Sequence, residues 1–252
     1  MTLSVGRAFH IQLHYHVLSF LDLGMDAASL YQPRAISTEW VDELQHSYIA
    51  ERTLAQSLQH APLLVRNLEG LLQHLQSKEG GVFARMANAL LSERTEQEHL
   101  WLQTSEEANT AIESFLRLFG DDLILLRSAL WGRIQKVSPP LFLFHTPALG
   151  LHGRGIGGAS YRCCAVSLSG ELEHAFCQTF HEEVHAISDY EVEQKLAPSQ
   201  KLSARETHVG AKGFSLHREM ERHAVELGDE LIRTHSPSHL KAYQRWRDLF
   251  GS

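Results

Sequence analysis

The sequence has few cysteines, no long apolar run and no surplus of positive charge, and each shortage excludes a class of protein. Three cysteines among 252 residues are too few, and odd in number, for a disulfide-rich secreted domain, so we expect reduced thiols and a cytoplasmic location. No apolar stretch reaches the roughly 18 residues of a membrane-spanning helix. The net charge of −7 gives no general attraction to nucleic acid or anionic lipid. We therefore expect neither nucleic acid nor a membrane as a partner.

Histidine is the residue that the chain has in excess. There are 17 histidines, and ten of them follow residue 140. The apolar fraction of 43% and the charged fraction of 21% are those of an ordinary globular protein, which argues against disorder. Because histidine is the commonest metal ligand in proteins, the composition indicates that a metal site should be sought in the second half of the chain.

The spacing of apolar residues predicts a mostly helical N-terminal region, which we assign to residues 1–136. Over residues 37–135, leucine and other apolar residues recur every three or four positions, as they do on helices. Residues 1–20 differ, because apolar residues there alternate with histidines in the pattern of a strand. Those histidines would share one face, either as a polar surface or as a metal site. They are His10, His14 and His16.

Residues 137–252 show a different sequence pattern and are predicted to contain a small sheet followed by helices. Residues 141–144 and 161–168 are strand candidates, and the glycines between them, at 150–158, predict a flexible loop. The helices expected next cover about 171–188, 215–234 and 238–249. The whole chain is therefore predicted as a predominantly helical α+β protein, in two regions or in one continuous domain.

The sequence His181-Glu182-Glu183-Val184-His185 matches the H-E-x-x-H pattern. On a helix the two histidines lie one turn apart on the same side, so both imidazoles can bind one Zn²⁺. The glutamate that follows the first histidine can accept a proton from a water held by the metal, as a general base. Apolar residues spaced by three or four support a helix here and mark its opposite side. They are Leu172, Phe176, Phe180, Val184 and Ile187. We predict His181 and His185 as zinc ligands and Glu182 as the base.

A catalytic zinc needs a third protein ligand, which we expect on the helix at 215–234. HExxH followed by a ligating glutamate on a second helix resembles the gluzincin plan of zinc metallopeptidases. The segment Glu219-Met-Glu-Arg-His-Ala-Val-Glu-Leu is similar to a segment of compact members of that family. The resemblance covers roughly residues 160–232 and implies Glu219 as the third ligand. This chain has Glu221 where the family often has Asp or Asn, and a shift of register would replace Glu219 by Glu221 or Glu226.

The resemblance also implies the activity, that of an intracellular zinc metallopeptidase acting on a peptide or protein. A further donor is expected to stabilise the oxyanion. Its candidates are His223, His208 and Tyr190, and we include His223 with Glu182 in the predicted catalytic set. The strand at 161–168 is predicted to bind an extended peptide as an added strand.

Two other interpretations stay open. The main alternative is a helical binding or regulatory protein whose metal is structural or absent, in which Cys177 or another histidine would fill the open position. Alternatively, two histidines and a carboxylate hold iron, as in non-haem iron enzymes. A third pattern, G-x-G-x-x-G at 153–158, leads into a strand rather than a helix, so no dinucleotide site is predicted from it. The sequence leaves the oligomeric state open.

Overall fold

The computed structural model describes residues 2–21, 39–195 and 211–249. These residues form a small mixed sheet with helices packed on both of its faces, so the predicted helix-rich α+β class is confirmed. None of the helices within these ranges is long and apolar enough to cross a lipid bilayer.

The sheet has four strands in the order β1-β2-β4-β3. They are β1 (Leu3–Gly6), β2 (Leu141–His145), β3 (Gly153–Gly157) and β4 (Arg162–Val166). The β1–β2 and β2–β4 pairs are parallel, whereas β3 runs antiparallel to β4 at the edge. Because the first strand comes from the N-terminal region, that region contributes to the sheet, and the division at residue 136 stays a prediction.

The helices of the described ranges fall into an earlier and a later group. The earlier helices are α1 (Phe9–Leu18), α2 (Glu39–Ala50), α3 (Arg52–Ala55), α4 (Leu68–Gln76), α5 (Gly81–Gln103) and α6 (Ser105–Gly132). The later ones are α7 (Leu172–Lys195), α8 (Ala211–His235) and α9 (Leu240–Leu249). Short 3₁₀ turns occupy Gln56–Gln59, Ala61–Leu64, Pro147–Leu149 and Pro237–His239.

Alternation along β4 explains how one small sheet serves two cores. Cys164 and Val166 point into a core formed with α6, α7, α8 and α9, while Cys163 and Ala165 point into a second core formed with α1 to α5. Successive side chains of a strand point to opposite faces, and both faces are covered here. All five residues of β4 are therefore buried.

The strand predicted for residues 1–20 is mostly wrong. Four residues form β1, and the rest of the pattern lies in α1. Since α1 is buried on almost every side, its apolar–polar alternation carries no information about which face is exposed. Each of the three histidines has a hydrogen-bond partner on another segment of the chain. His10 contacts main-chain carbonyls, His14 contacts the carbonyl of Leu58, and His16 contacts Glu93. None belongs to a metal-binding group of the described chain.

The loop predicted for residues 150–158 is also wrong in its centre, because Gly153–Gly157 is a strand. It pairs with β4, which pairs on its other side with β2. The strand predicted at 161–168 exists as β4, but both of its edges are occupied, so it cannot accept an added peptide strand. Within the described residues, β3 is the edge strand at this side of the sheet.

A buried carboxylate joins α7 to α6 and to the sheet. Glu183 is fully buried, and its two oxygens accept hydrogen bonds from Nε of Arg127 (2.7 Å) and from Nε of Arg162 (2.9 Å). Both arginines also donate to main-chain carbonyls, namely those of Pro139, Gly157 and Glu182. Because α6 and β4 each supply one arginine, this carboxylate fixes how α7 is rotated against both.

Glu183→Gln tests this arrangement, since it keeps the size of the side chain and removes its charge. Two buried arginines would lose their carboxylate, so we expect the free energy of unfolding to fall by about 3–5 kcal/mol. Glu226→Gln is the matched control, because Glu226 forms an exposed pair with Arg222 (3.1 Å), and such pairs are worth less than about 1 kcal/mol. Urea denaturation measures both. Equal stability of the two variants would contradict the role given to Glu183.

Candidate metal centre

One turn of α7 directs four neighbouring side chains to different parts of the molecule. Each residue advances about 100° around a helix. His181 and His185 therefore share the side that faces α8, while Glu182 lies against β3 and Glu183 faces α6 and β4. The predicted helix extends past residue 188, to Lys195, and the added turns carry further residues of the site.

Three side-chain atoms converge between α7 and α8. They are Nε2 of His181, Nε2 of His185 and Oε2 of Glu221. The two nitrogens are 3.0 Å apart, and the carboxylate oxygen lies 3.2 Å from His181 and 3.4 Å from His185. These three residues form a group able to hold a metal ion.

The spacing of the three atoms fits one tetrahedral ion. With metal–ligand bonds of about 2.0–2.1 Å, two ligand atoms of a tetrahedral zinc are about 3.3 Å apart, close to all three distances. His181 is 6% exposed, whereas the side chains of His185 and Glu221 are 18% and 38% exposed. The group is thus buried at His181 and partly exposed at His185 and Glu221, and a metal ion held there would have three protein ligands.

Protons alone cannot satisfy the three contacts. A carboxylate only accepts, so each imidazole must donate from Nε2 to reach Glu221 favourably. Two imidazoles that both donate from Nε2 then bring two hydrogens together across the 3.0 Å nitrogen–nitrogen contact. If one imidazole instead accepts from the other, its own contact with Glu221 joins two acceptors. A cation between the three atoms satisfies all of them at once.

Asp189 orients the second ligand. Its Oδ1 lies 2.8 Å from Nδ1 of His185, one turn further along α7. A carboxylate at this nitrogen holds the ring as the Nδ1–H form, which leaves the Nε2 lone pair for a metal. His181 has no such support: its Nδ1 is buried without a hydrogen-bond partner among the described residues.

The electrostatics of the group also favour a positive charge. Burial lowers the pKa of His185, but hydrogen bonds and the charges of Asp189 and Glu221 outweigh burial and raise that pKa to about 10. Burial raises the pKa of Glu221, but hydrogen bonds from the two imidazoles, and their charge, outweigh it and hold that pKa far below its usual range. Without a metal, a proton on His185 supplies part of the missing charge.

The third ligand implied by the family resemblance is not the residue at the centre. Glu219 is exposed and stands outside the group, and Glu221, the alternative under a shifted register, takes its place. Glu226 is exposed and pairs with Arg222. Two positions along a helix differ by about 200° in direction. The rotation of α8 that buries Met220 and Ala224 turns Glu221 toward α7.

Of the predicted oxyanion donors, His223 is not part of the group of three. Nε2 of His223 is 2.8 Å from Oε2 of Glu191 in α7, in a pair that ties α8 to α7. Tyr190 is 53% exposed, and His208 lies outside the described residues. Their predicted roles stay predictions.

Glu182 and Cys177 occupy different surroundings, and neither belongs to the ligand group. Oε1 of Glu182 accepts a hydrogen bond from Nε2 of Gln178 (2.9 Å), and the side chain is partly exposed, as a base requires. Cys177 is fully buried in the core, and burial raises the pKa of its thiol to about 12. It is a core thiol rather than a ligand.

Sequence reasoning missed two residues that the helical spacing could have revealed. Asp189 lies four residues after His185, and Gln178 lies four residues before Glu182. Side chains four apart on a helix are neighbours, so the Gln178–Glu182 pair is visible within the predicted helix, and the His185–Asp189 pair is visible once that helix is extended beyond residue 188.

Zinc affinity distinguishes Glu221 from Glu219. We expect Glu221→Gln to lower the affinity for Zn²⁺ by at least tenfold, because a neutral amide replaces an ionised ligand. Glu219→Gln, the matched control two residues away, should bind zinc like the unmodified protein. Competition with a chromogenic chelator measures both affinities. The opposite order of the two variants would return the ligand role to Glu219.

The affinity for zinc should depend on pH, because a ligating histidine must be neutral. Since the pKa of His185 is raised to about 10, zinc displaces a proton at every lower pH. Apparent affinity should therefore rise about tenfold per pH unit between about pH 6 and 8. Asp189→Asn removes one of the carboxylates that hold this proton, so its affinity should level off at a lower pH. If the affinity for zinc rose with the same slope against pH in the unmodified protein and in Asp189→Asn over the whole range measured, this account of His185 would be contradicted.

Comparison with family models, with curated proteins and with solved structures gives no match to this chain.

Proposed function

We propose that the protein is a zinc-dependent hydrolase of the metallopeptidase class, with His181, His185 and Glu221 as the metal ligands. One observation carries the proposal: the three ligand atoms lie 3.0–3.4 Å from one another, in an arrangement that a cation satisfies and protons do not. Asp189 supports it as the outer partner of His185.

The position of Glu182 supports a hydrolase over an iron oxygenase with the same kinds of ligand. Two histidines and one carboxylate suit Fe²⁺ as well as Zn²⁺. A non-haem iron enzyme has no use for a base next to its ligands, whereas this chain has a carboxylate at the residue that follows His181, held by the hydrogen bond from Gln178. A structural zinc is disfavoured because such sites have four protein ligands, and the group of the described residues has three.

A zinc ion held by these residues supplies a Lewis acid for the carbonyl and a water of lowered pKa. Glu182 accepts the proton of the attacking water and returns it to the leaving amine. Arg162 fixes the main chain at this point, because its Nη2 donates to the carbonyl of Glu182 (2.6 Å). The main chain that carries the proposed base is therefore held by Arg162 of β4.

The substrate proposed is a peptide or protein segment in extended form. β3 pairs with β4 on one side, so the main chain of its other side is the edge at which a peptide could add as a strand. The side chain of Glu182 packs on β3 at Gly155, so the strand that offers this edge also contacts the proposed base. Neither nucleic acid nor a membrane is part of the proposal. Three buried cysteines without disulfides support a cytoplasmic location.

Glu182→Gln tests the proposal. It should retain one equivalent of zinc and lose at least about 100-fold in kcat, because general-base catalysis contributes roughly 10²–10⁴-fold. The assay is cleavage of a quenched fluorescent library of random peptides by the zinc-loaded protein. Glu219→Gln is the control and should keep both zinc and activity.

Two outcomes would overturn this function. If Glu182→Gln kept full activity, Glu182 could not be the general base of the reaction. A protein that holds less than one equivalent of zinc, with no change on His181→Ala, would instead be the helical binding or regulatory protein, whose cluster is filled by a proton on His185.

A further inference from the structure

We infer that Gln178 and Trp246 are positioning residues that hold Glu182 in place and connect it to the metal ligand His181. The inference rests on the proposed function, since it assigns roles around the same base. It adds α9, the last described helix, to the active site.

The hydrogen bonds run in one direction along the three side chains. Nε1 of Trp246 lies 3.1 Å from Oε1 of Gln178, and Nε2 of Gln178 lies 2.9 Å from Oε1 of Glu182. An indole N–H can only donate, so the amide must turn its oxygen toward Trp246. Its nitrogen is then forced to face Glu182 and to donate. The orientation of the Gln178 amide, and so the donor offered to the base, is decided by Trp246.

Trp246 also packs against a metal ligand. Its ring lies 4.7 Å from the imidazole of His181, centroid to centroid, and Tyr243 stacks on it at 5.2 Å. Trp246 is 4% exposed. One rigid, buried side chain therefore contacts His181 directly and reaches Glu182 through Gln178, which fixes the spacing between ligand and base.

The glycines of β3 provide the room that this arrangement needs. A methyl group on Gly153 would lie 2.8 Å from Cγ of Gln178, and one on Gly155 would lie 3.0 Å from Cβ and 3.1 Å from Oε2 of Glu182. Contacts this short do not occur between real side chains without a shift. The carboxylate is thus confined, with Oε1 held by Gln178 and Oε2 lying against the bare strand.

Catalysis is sensitive to such confinement, because misplacing a reacting group by about 1 Å costs up to 100-fold in rate. Gln178 is 6% exposed, and both ends of its amide are used within the site. Methionine at this position would fill the same space and donate nothing to the base. We therefore expect the donor, rather than the packing, to be what the reaction needs.

A double-mutant cycle separates this role from a structural one. Gln178→Met and Trp246→Phe should each lower kcat on the peptide library about tenfold, with KM and zinc stoichiometry unchanged. The double variant should be no slower than Gln178→Met alone, because Trp246 reaches Glu182 through Gln178 and phenylalanine keeps an aromatic ring in place of the indole. Trp131→Phe is the control, since Trp131 is buried and its Nε1 has no partner in the described part of the chain. Additive losses, or unchanged kcat in both single variants, would overturn the inference.

A second experiment tests the inference by ligand binding and needs no substrate. Acetohydroxamate is a small zinc ligand whose proton is accepted by a carboxylate beside the metal. Its affinity for the zinc-loaded protein, measured by calorimetry, should fall in Glu182→Gln and, by a smaller factor, in Gln178→Met and Trp246→Phe. Unchanged affinity in the last two would refute the positioning role. A wild-type protein that hydrolyses no peptide yet shows this order of affinities would lose the proposed function and keep the inference.

The contact between Trp246 and His181 has its own signal. Zinc bound at His181 would place a positive charge close to the indole ring, so zinc should change the emission of the protein. Trp246→Phe should abolish this change, although three of the four tryptophans remain and zinc still binds. Gln178→Met should retain it. A zinc-dependent change that survives in Trp246→Phe would show that Trp246 does not report on His181.

Discussion

The buried pairing of Glu183 with Arg127 and Arg162 is the constraint on which the rest of the site depends. A fully buried carboxylate is tolerated only when its charge is compensated, and here the compensation comes from α6 and from β4. Any rotation of α7 about its axis would separate Glu183 from one of the arginines. With α7 fixed in this way, the directions of His181, Glu182 and His185 follow from helical geometry. The second, unspecified glutamate of the motif is therefore as important for the site as the ligands.

The site is built in layers around that one helical turn. α8 supplies the carboxylate ligand Glu221, and β3 supplies the wall against which the base lies. α9 supplies Trp246, which contacts both a ligand and the support of the base. Each layer contributes a different kind of interaction: charge from α8, space from the glycines of β3, and a directed hydrogen bond from α9. The proposed base and the metal group therefore have different main supports, and Trp246 is the side chain that contacts both sets.

The sequence sufficed to predict what depends on local periodicity. The helix class, the HExxH helix and the convergence of His181 and His185 all follow from spacing along one chain segment. The choice between Glu219 and Glu221 did not, because it depends on how α8 is rotated against α7, which packing decides. Gly153 and Gly155 predict a loop when only their own flexibility is considered. In the structure they belong to a strand, since a bare strand leaves space for Gln178 and Glu182. The helix α1 resembled a strand because burial on all sides removes the usual difference between its faces.

The charge balance of the centre argues for a divalent ion rather than a proton as its proper occupant. Two carboxylates, Glu221 and Asp189, contact two imidazoles that are neutral when they bind metal. A proton on His185 offsets one of these negative charges and leaves at least one of the three contacts without a hydrogen between its atoms. A divalent cation offsets both charges and occupies the point on which the three ligand atoms converge. The raised pKa of His185 has the same physical cause, the charges of Asp189 and Glu221, as the metal affinity that we propose, so metal and proton would compete for this residue.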